Sequence, residues 1–138
     1  MPKIFTSKTQ KIGEIGENIA VRFLMKHNFF VLERNYTKKW GEIDIIAEKE
    51  NKLYFIEVKS VSRETLLDNN ILNNPKNTYR PEENMHPQKI KRISRTIQTY
   101  LLSKKISEEK MWQVDLLVVY INLQDKKAKV KVVNNIIL

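Results

Sequence analysis

The chain has 138 residues, no cysteine, two histidines and a formal net charge of +9, with a sequence pI of about 9.7. This length predicts one domain, 1–138, that buries a core without staples. The absence of cysteine excludes disulfides and thiolate metal sites, and two histidines leave little for a zinc finger or a catalytic triad.

No apolar run is long enough to span a bilayer and no secretory h-region is visible, so a cytoplasmic protein without membrane contact is expected. The basic balance favours a polyanionic partner, with nucleic acid first.

Residues 1–9 lack periodicity and read as a loose start. Over 11–27 the apolar residues Ile12, Ile15, Ile19, Ala20, Phe23 and Leu24 recur at spacings of three and four, which predicts an amphipathic helix. Glu17 lies at the edge of that stripe. It reads equally as a surface carboxylate favoured near a helix N-terminus or as an acid aimed at a ligand. Gly13 and Gly16 cost helix stability, and close approach of another backbone or of a ligand would explain both.

Residues 29–36 read as a first strand. Residues 40–47 and 53–59, rich in β-branched and aromatic side chains and joined by a polar link, predict a β-hairpin. With 49–52 as its loop, Glu48 pairs with Leu53 and Asp44 falls opposite Glu57. Glu57 and Lys59 share a face with Leu53 and Phe55, and strict alternation sets Ile43 with Ile45, Ile56 and Val58 on the other. Both faces are apolar, the pattern of a central strand covered on both sides.

Two facing carboxylates repel. Leaving them unpaired in a partly buried setting costs roughly 3–5 kcal/mol. A cation between them is therefore expected. Lys59 supplies one charge, and a divalent metal supplies more. Mg²⁺ (or Mn²⁺) fits, because it is held by one or two carboxylates while keeping several waters. The alternative is that Asp44, Glu57 and Lys59 are cross-strand ion pairs on a solvated face, against which the apolar flanks argue.

Residues 60–86, rich in asparagine and carrying Pro75 and Pro81, predict a long loop or lid, with a short helix near 63–72. His86-Pro87 opens a second helix. Its apolar stripe is Ile90, Ile93, Ile97, Tyr100 and Leu101. Lys91, Arg92 and Arg95, with Lys89 beside them, form a basic face suited to phosphate contacts. Residues 114–121 are nearly all apolar and predict an interior strand, with Asp115 a structural hydrogen-bonder. A last strand over 128–133 carries outward lysines that protect an edge.

The order is therefore α-β-β-β-α-β-β, an α/β fold. An acid on the first helix and D…E-x-K on the hairpin resemble the restriction-endonuclease-like nucleases with a PD-(D/E)-x-K site, although Ile43 stands where that motif has proline. More closely, G-x-x-G-E at Gly13, Gly16 and Glu17, R-N at Arg34 and Asn35, G-E-I-D at Gly41 to Asp44 and E-V-K at Glu57 to Lys59 resemble the YraN-type UPF0102 family.

The resemblance implies a mixed β-sheet flanked by helices, similar to archaeal Holliday-junction resolvases. It makes Asp44 and Glu57 metal ligands. Lys59 becomes the residue that orients water or steadies charge on the phosphate, and Glu17 an accessory acid. Gln88 and Lys89 fall where such nucleases often place a helper. The expected activity is metal-dependent, structure-specific cleavage of DNA rather than RNA, with a homodimer expected by analogy. The alternative is a nucleic-acid-binding module that does not cut.

Overall fold

The computed structural model describes residues 8–62 and 86–136. The elements are α1 (Lys8–Lys26), β1 (Phe30–Lys38), β2 (Gly41–Lys49), β3 (Lys52–Ser62), α2 (Pro87–Ser103), β4 (Met111–Asn122) and β5 (Lys127–Val133). The strands form one five-stranded mixed sheet in chain order, antiparallel except where β3 runs parallel to β4. The protein is thus α/β, with the order α-β-β-β-α-β-β. No helix among the described residues is long and apolar enough to cross a membrane.

The sheet separates two apolar layers. Ile12, Ala20 and Leu24 of α1 pack on Ile45, Ala47, Ile56, Leu117, Val119 and Ile121. Ile93, Ile97 and Tyr100 of α2 pack on the opposite face against Ile46, Leu53, Phe55 and Val114. β3 is therefore covered on both sides, as its continuous apolar character requires. β5 closes one edge, with exposed Lys127, Lys129 and Lys131.

The β2–β3 hairpin has the expected register, Glu48 opposite Leu53, and its ladder runs one pair further, to Lys49–Lys52. Glu50 and Asn51 alone make the turn, both with positive φ (49° and 63°), as a tight hairpin turn requires. Lys110 ties this turn down by reaching Glu48 at 3.0 Å and Asn51 at 2.7 Å.

The structure departs from expectation at two points. Ile43 does not lie with Ile45 and Ile56; it packs with Ile46, Leu53 and Phe55 on the α2 side. The β1–β2 pairing steps from Arg34–Ile45 to Tyr36–Ile43 and skips Asn35 and Asp44. Asn35 sits in the left-handed region (φ 52°), which asparagine tolerates better than most residues. Alternation breaks at that point, so Tyr36 and Ile43 both turn toward α2. The second departure concerns the long connection. β3 continues through Ser62, so residues 60–62 are strand, paired with β4 as far as Ile121. The rest of the expected lid, including the short helix near 63–72, falls outside the described residues.

The glycines of α1 divide. A Cβ on Gly16 would collide with the Ser60 side chain, its Cβ lying 2.8 Å away, so α1 touches β3 there only because the residue is glycine. A Cβ on Gly13 would meet nothing within 4 Å, so close approach does not explain that residue. Gly16→Ala is expected to cost about 1–3 kcal/mol through overpacking. Gly13→Ala should stabilise by up to about 1 kcal/mol through helix propensity. Paired urea melts check both signs.

Candidate active site

The β2–β3 ladder ends at Ile45–Ile56, one pair short of Asp44 and Glu57, while β3 keeps its partner β4 through the same stretch. β2 thus leaves β3 where the two carboxylates stand. The divergence leaves the Val58 N–H without a strand partner on that side, and it donates instead to Asp44 Oδ2 at 2.8 Å. The Asp44 side chain stands in for the missing rung and is held in one orientation by doing so.

Glu57 follows Leu53 and Phe55 on the α2 face of β3, and only 5% of it is exposed. Its Oε2 lies 3.8 Å from the Lys89 ammonium of α2. Its Oε1 is buried with no hydrogen-bond partner among the described residues. Leaving a buried carboxylate oxygen unsatisfied is costly. Burial first, and then the Asp44 charge, push the Glu57 carboxyl up to about 8, with Lys89 opposing. Burial also raises Asp44, and the Glu17 and Glu42 charges add to it, while the Val58 amide pulls the other way. The pair therefore resists carrying two negative charges unless a cation joins it.

Among the described residues, the cation paired with Glu57 is Lys89, not Lys59. Lys59 stands on the same face of β3 two residues on, exposed, and makes no ion pair among the described residues. Lys89 belongs to the stripe of α2 that continues into Ile93, Thr96 and Tyr100, so its side chain is carried toward the sheet rather than outward with Lys91. The 3.6 period of α2 contains that signal, and reading the charges alone hides it.

Glu17 is drawn into a fork with Arg34, whose Nη2 lies 3.3 Å from Glu17 Oε1 and donates to Asn18 Oδ1 at 2.8 Å. It remains near enough for its charge to raise Asp44. No group of three histidine or acidic side chains suited to a metal gathers among the described residues. The donors that could hold a cation here are the Asp44–Glu57 pair, too few for any cation that does not keep most of its waters. Asp115 is structural, its Oδ1 accepting from Gln113 Nε2 at 2.7 Å and from the Asn135 amide at 2.9 Å.

Arg95 lies over the Trp40 ring, 4.4 Å from its centroid, so that member of the basic face is partly committed to the β1–β2 turn. Lys91 and Arg92 are exposed.

A family profile described as "Uncharacterised protein family UPF0102" matches residues 16–119, which include every residue of this site. A UPF0102 protein of Campylobacter hominis is 37% identical over 131 residues, 95% of this chain and 97% of its own length. One from Campylobacter fetus subsp. fetus is 35% identical over 94% of this chain and 96% of its own length. One from Campylobacter jejuni strain 81-176 is 38% identical over 76% of this chain and 80% of its own length.

Proposed function

The chain belongs to the UPF0102 family, and from its site we propose that it hydrolyses phosphodiester bonds in DNA with the help of Mg²⁺ or Mn²⁺ held by Asp44 and Glu57. One observation carries this reading. Two carboxylates stand together where β2 parts from β3, one of them buried with Lys89 beside it and with an oxygen that finds no partner among the described residues. Such a pair is poorly accommodated by the protein alone and well accommodated by a hard divalent cation.

Each group then has a task. Asp44, oriented by the Val58 amide, and Glu57, whose Oε1 has no partner among the described residues, would hold the cation. The divalent ion supplies the Lewis acidity that phosphodiester hydrolysis draws on. Lys59, exposed beside Glu57 on the same face, contacts the phosphate and steadies the charge that develops as water adds and the bond to one sugar oxygen breaks. Lys89 offsets the charge of Glu57 and keeps it available as a ligand. Glu17 shapes the field at Asp44 from α1. Arg92 and Lys91 meet the phosphate backbone on the α2 side. No element suited to reading bases stands among the described residues, so the specificity we propose is for structure: a branched, nicked or single-stranded DNA.

The test is incubation of nicked and four-way-branched DNA with the pure protein in Mg²⁺, Mn²⁺ or EDTA. Cleavage in either metal and none in EDTA is expected. Uncut substrates throughout would favour the second reading, a binding module without catalysis, which draws on the lack of a third acidic ligand among the described residues.

A further inference from the structure

The turn between β1 and β2 is pinned to α2 by two independent contacts. A Cβ on Gly41 would stand 2.7 Å from Thr96 Oγ1 and 3.1 Å from the Arg92 carbonyl oxygen, so the strand passes over the helix only because residue 41 is glycine. One residue earlier, Trp40 carries the Arg95 guanidinium on its ring at 4.4 Å. The turn is therefore presented rigidly.

Beside it lies an open pocket of about 320 Å³ lined by Thr37, Lys38, Lys39, Trp40, Gly41, Glu42 and Arg92. Lys38, Lys39 and Arg92 bring three cations to it against the single carboxylate of Glu42, and none of the three is in an ion pair among the described residues. Lys38 extends over the Tyr36 ring, 5.1 Å from its centroid. With one face of Trp40 already taken by Arg95, the pocket offers charge rather than a stacking platform.

Its position relates it to the candidate active site. Arg92 is one helical turn along α2 from Lys89, which faces Glu57. Glu42 lies between the two places, and its charge is felt by both Asp44 and Glu57. A polyanion that reaches Asp44 and Glu57 from the α2 side passes this pocket.

We propose that Lys38 at the end of β1 and Lys39 of the β1–β2 turn, with Arg92, form a phosphate clamp that holds the substrate's backbone next to the reacting phosphodiester. The proposal rests on the reading of the protein as acting on nucleic acid. It extends the contact surface from the helix to a turn whose basic residues belong to no helical pattern. The clamp recognises phosphate and not base, so it contributes affinity without sequence preference.

The experiment is fluorescence anisotropy with a short fluorescein-labelled duplex in EDTA, where cutting does not intrude, over a range of salt concentrations. Three proteins are compared: the native chain, the Lys38→Ala/Lys39→Ala double variant, and a Lys126→Ala/Lys127→Ala double variant. The last removes the same charge from exposed Lys126 of the β4–β5 turn and exposed Lys127 at the start of β5. Removing one lysine–phosphate interaction lowers the log–log salt slope by about 1. The Lys38/Lys39 variant should therefore lose about 2 from the slope and bind roughly tenfold more weakly or worse at moderate salt. The Lys126/Lys127 variant should match the native chain.

An unchanged slope in the Lys38/Lys39 variant, with the native chain binding, overturns the clamp and leaves the nuclease reading standing. Equal losses in both variants also overturn it, since net charge and not the turn would then be responsible. A native chain that binds neither this duplex nor the nicked and four-way-branched DNA overturns both.

Discussion

Replacing Glu57 by glutamine should raise the melting temperature of the metal-free protein at pH 8 and abolish any further rise on adding Mg²⁺ or Mn²⁺. The carboxyl is buried, and its folded form holds a proton to about 8, well above the ordinary value of 4.5. Below the unfolded value both states are protonated and the group costs nothing. As pH rises from there toward the folded value, the unfolded chain releases the proton more readily, so metal-free stability falls, and above the folded value the loss is complete. Glutamine keeps the shape and removes the charge.

Allowing for relaxation around the site, the gain at pH 8 is about 2 kcal/mol, or about 5–8 °C for a chain of this size. At pH 4 the two proteins should melt together. In saturating metal the order reverses, because only the native chain gains the binding free energy, about 2.7 kcal/mol at a hundredfold excess over Kd. Thermal melts at both pH values, with and without metal, check every part. A variant that is less stable at pH 8 without metal would mean that Glu57 is held by a structural partner.

Asp44→Asn should reduce cleavage at least about 1,000-fold while leaving duplex affinity within about twofold in EDTA. The asparagine keeps an oxygen for the Val58 amide, so the local fold is retained and only the ligand charge is lost. Lys59→Ala should cost cleavage about 100- to 1,000-fold. Lys59 is exposed, so its loss leaves the core intact, and its effect should fall on kcat rather than on binding. Single-turnover rates on whichever of the nicked and branched DNAs the native chain is found to cut give both numbers. Cleavage that persisted in both variants of a clean preparation would remove the site from the reaction.

Much of this arrangement is readable from residue order, for reasons that differ by element. The 3.6 and 2 periods locate both helices and all five strands of the described residues, and the short polar link fixes the hairpin register at Glu48–Leu53. The Asp44–Glu57 neighbourhood follows from that register. What escapes are tertiary facts. The face occupied by Ile43 depends on a left-handed Asn35 one strand away, which strict alternation does not anticipate. The roles of the glycines depend on what lies opposite: Gly16 meets Ser60, Gly41 meets α2, and Gly13 meets open space. Charge alone groups Lys89 with its neighbours, whereas its phase on α2 sends it to Glu57. Arg95 reads as a free cation in the sequence, and in the fold Trp40 engages it.

Whether Asp44 and Glu57 together form a divalent-cation site decides the rest. Isothermal titration of Mn²⁺ and of Mg²⁺ into the native protein and into Asp44→Asn, each with and without duplex DNA, tests it most directly. One saturable site is expected in the native chain, tighter with DNA present, and none in the variant. Equal binding by both proteins, or by neither even with DNA, would contradict a metal centre at this pair.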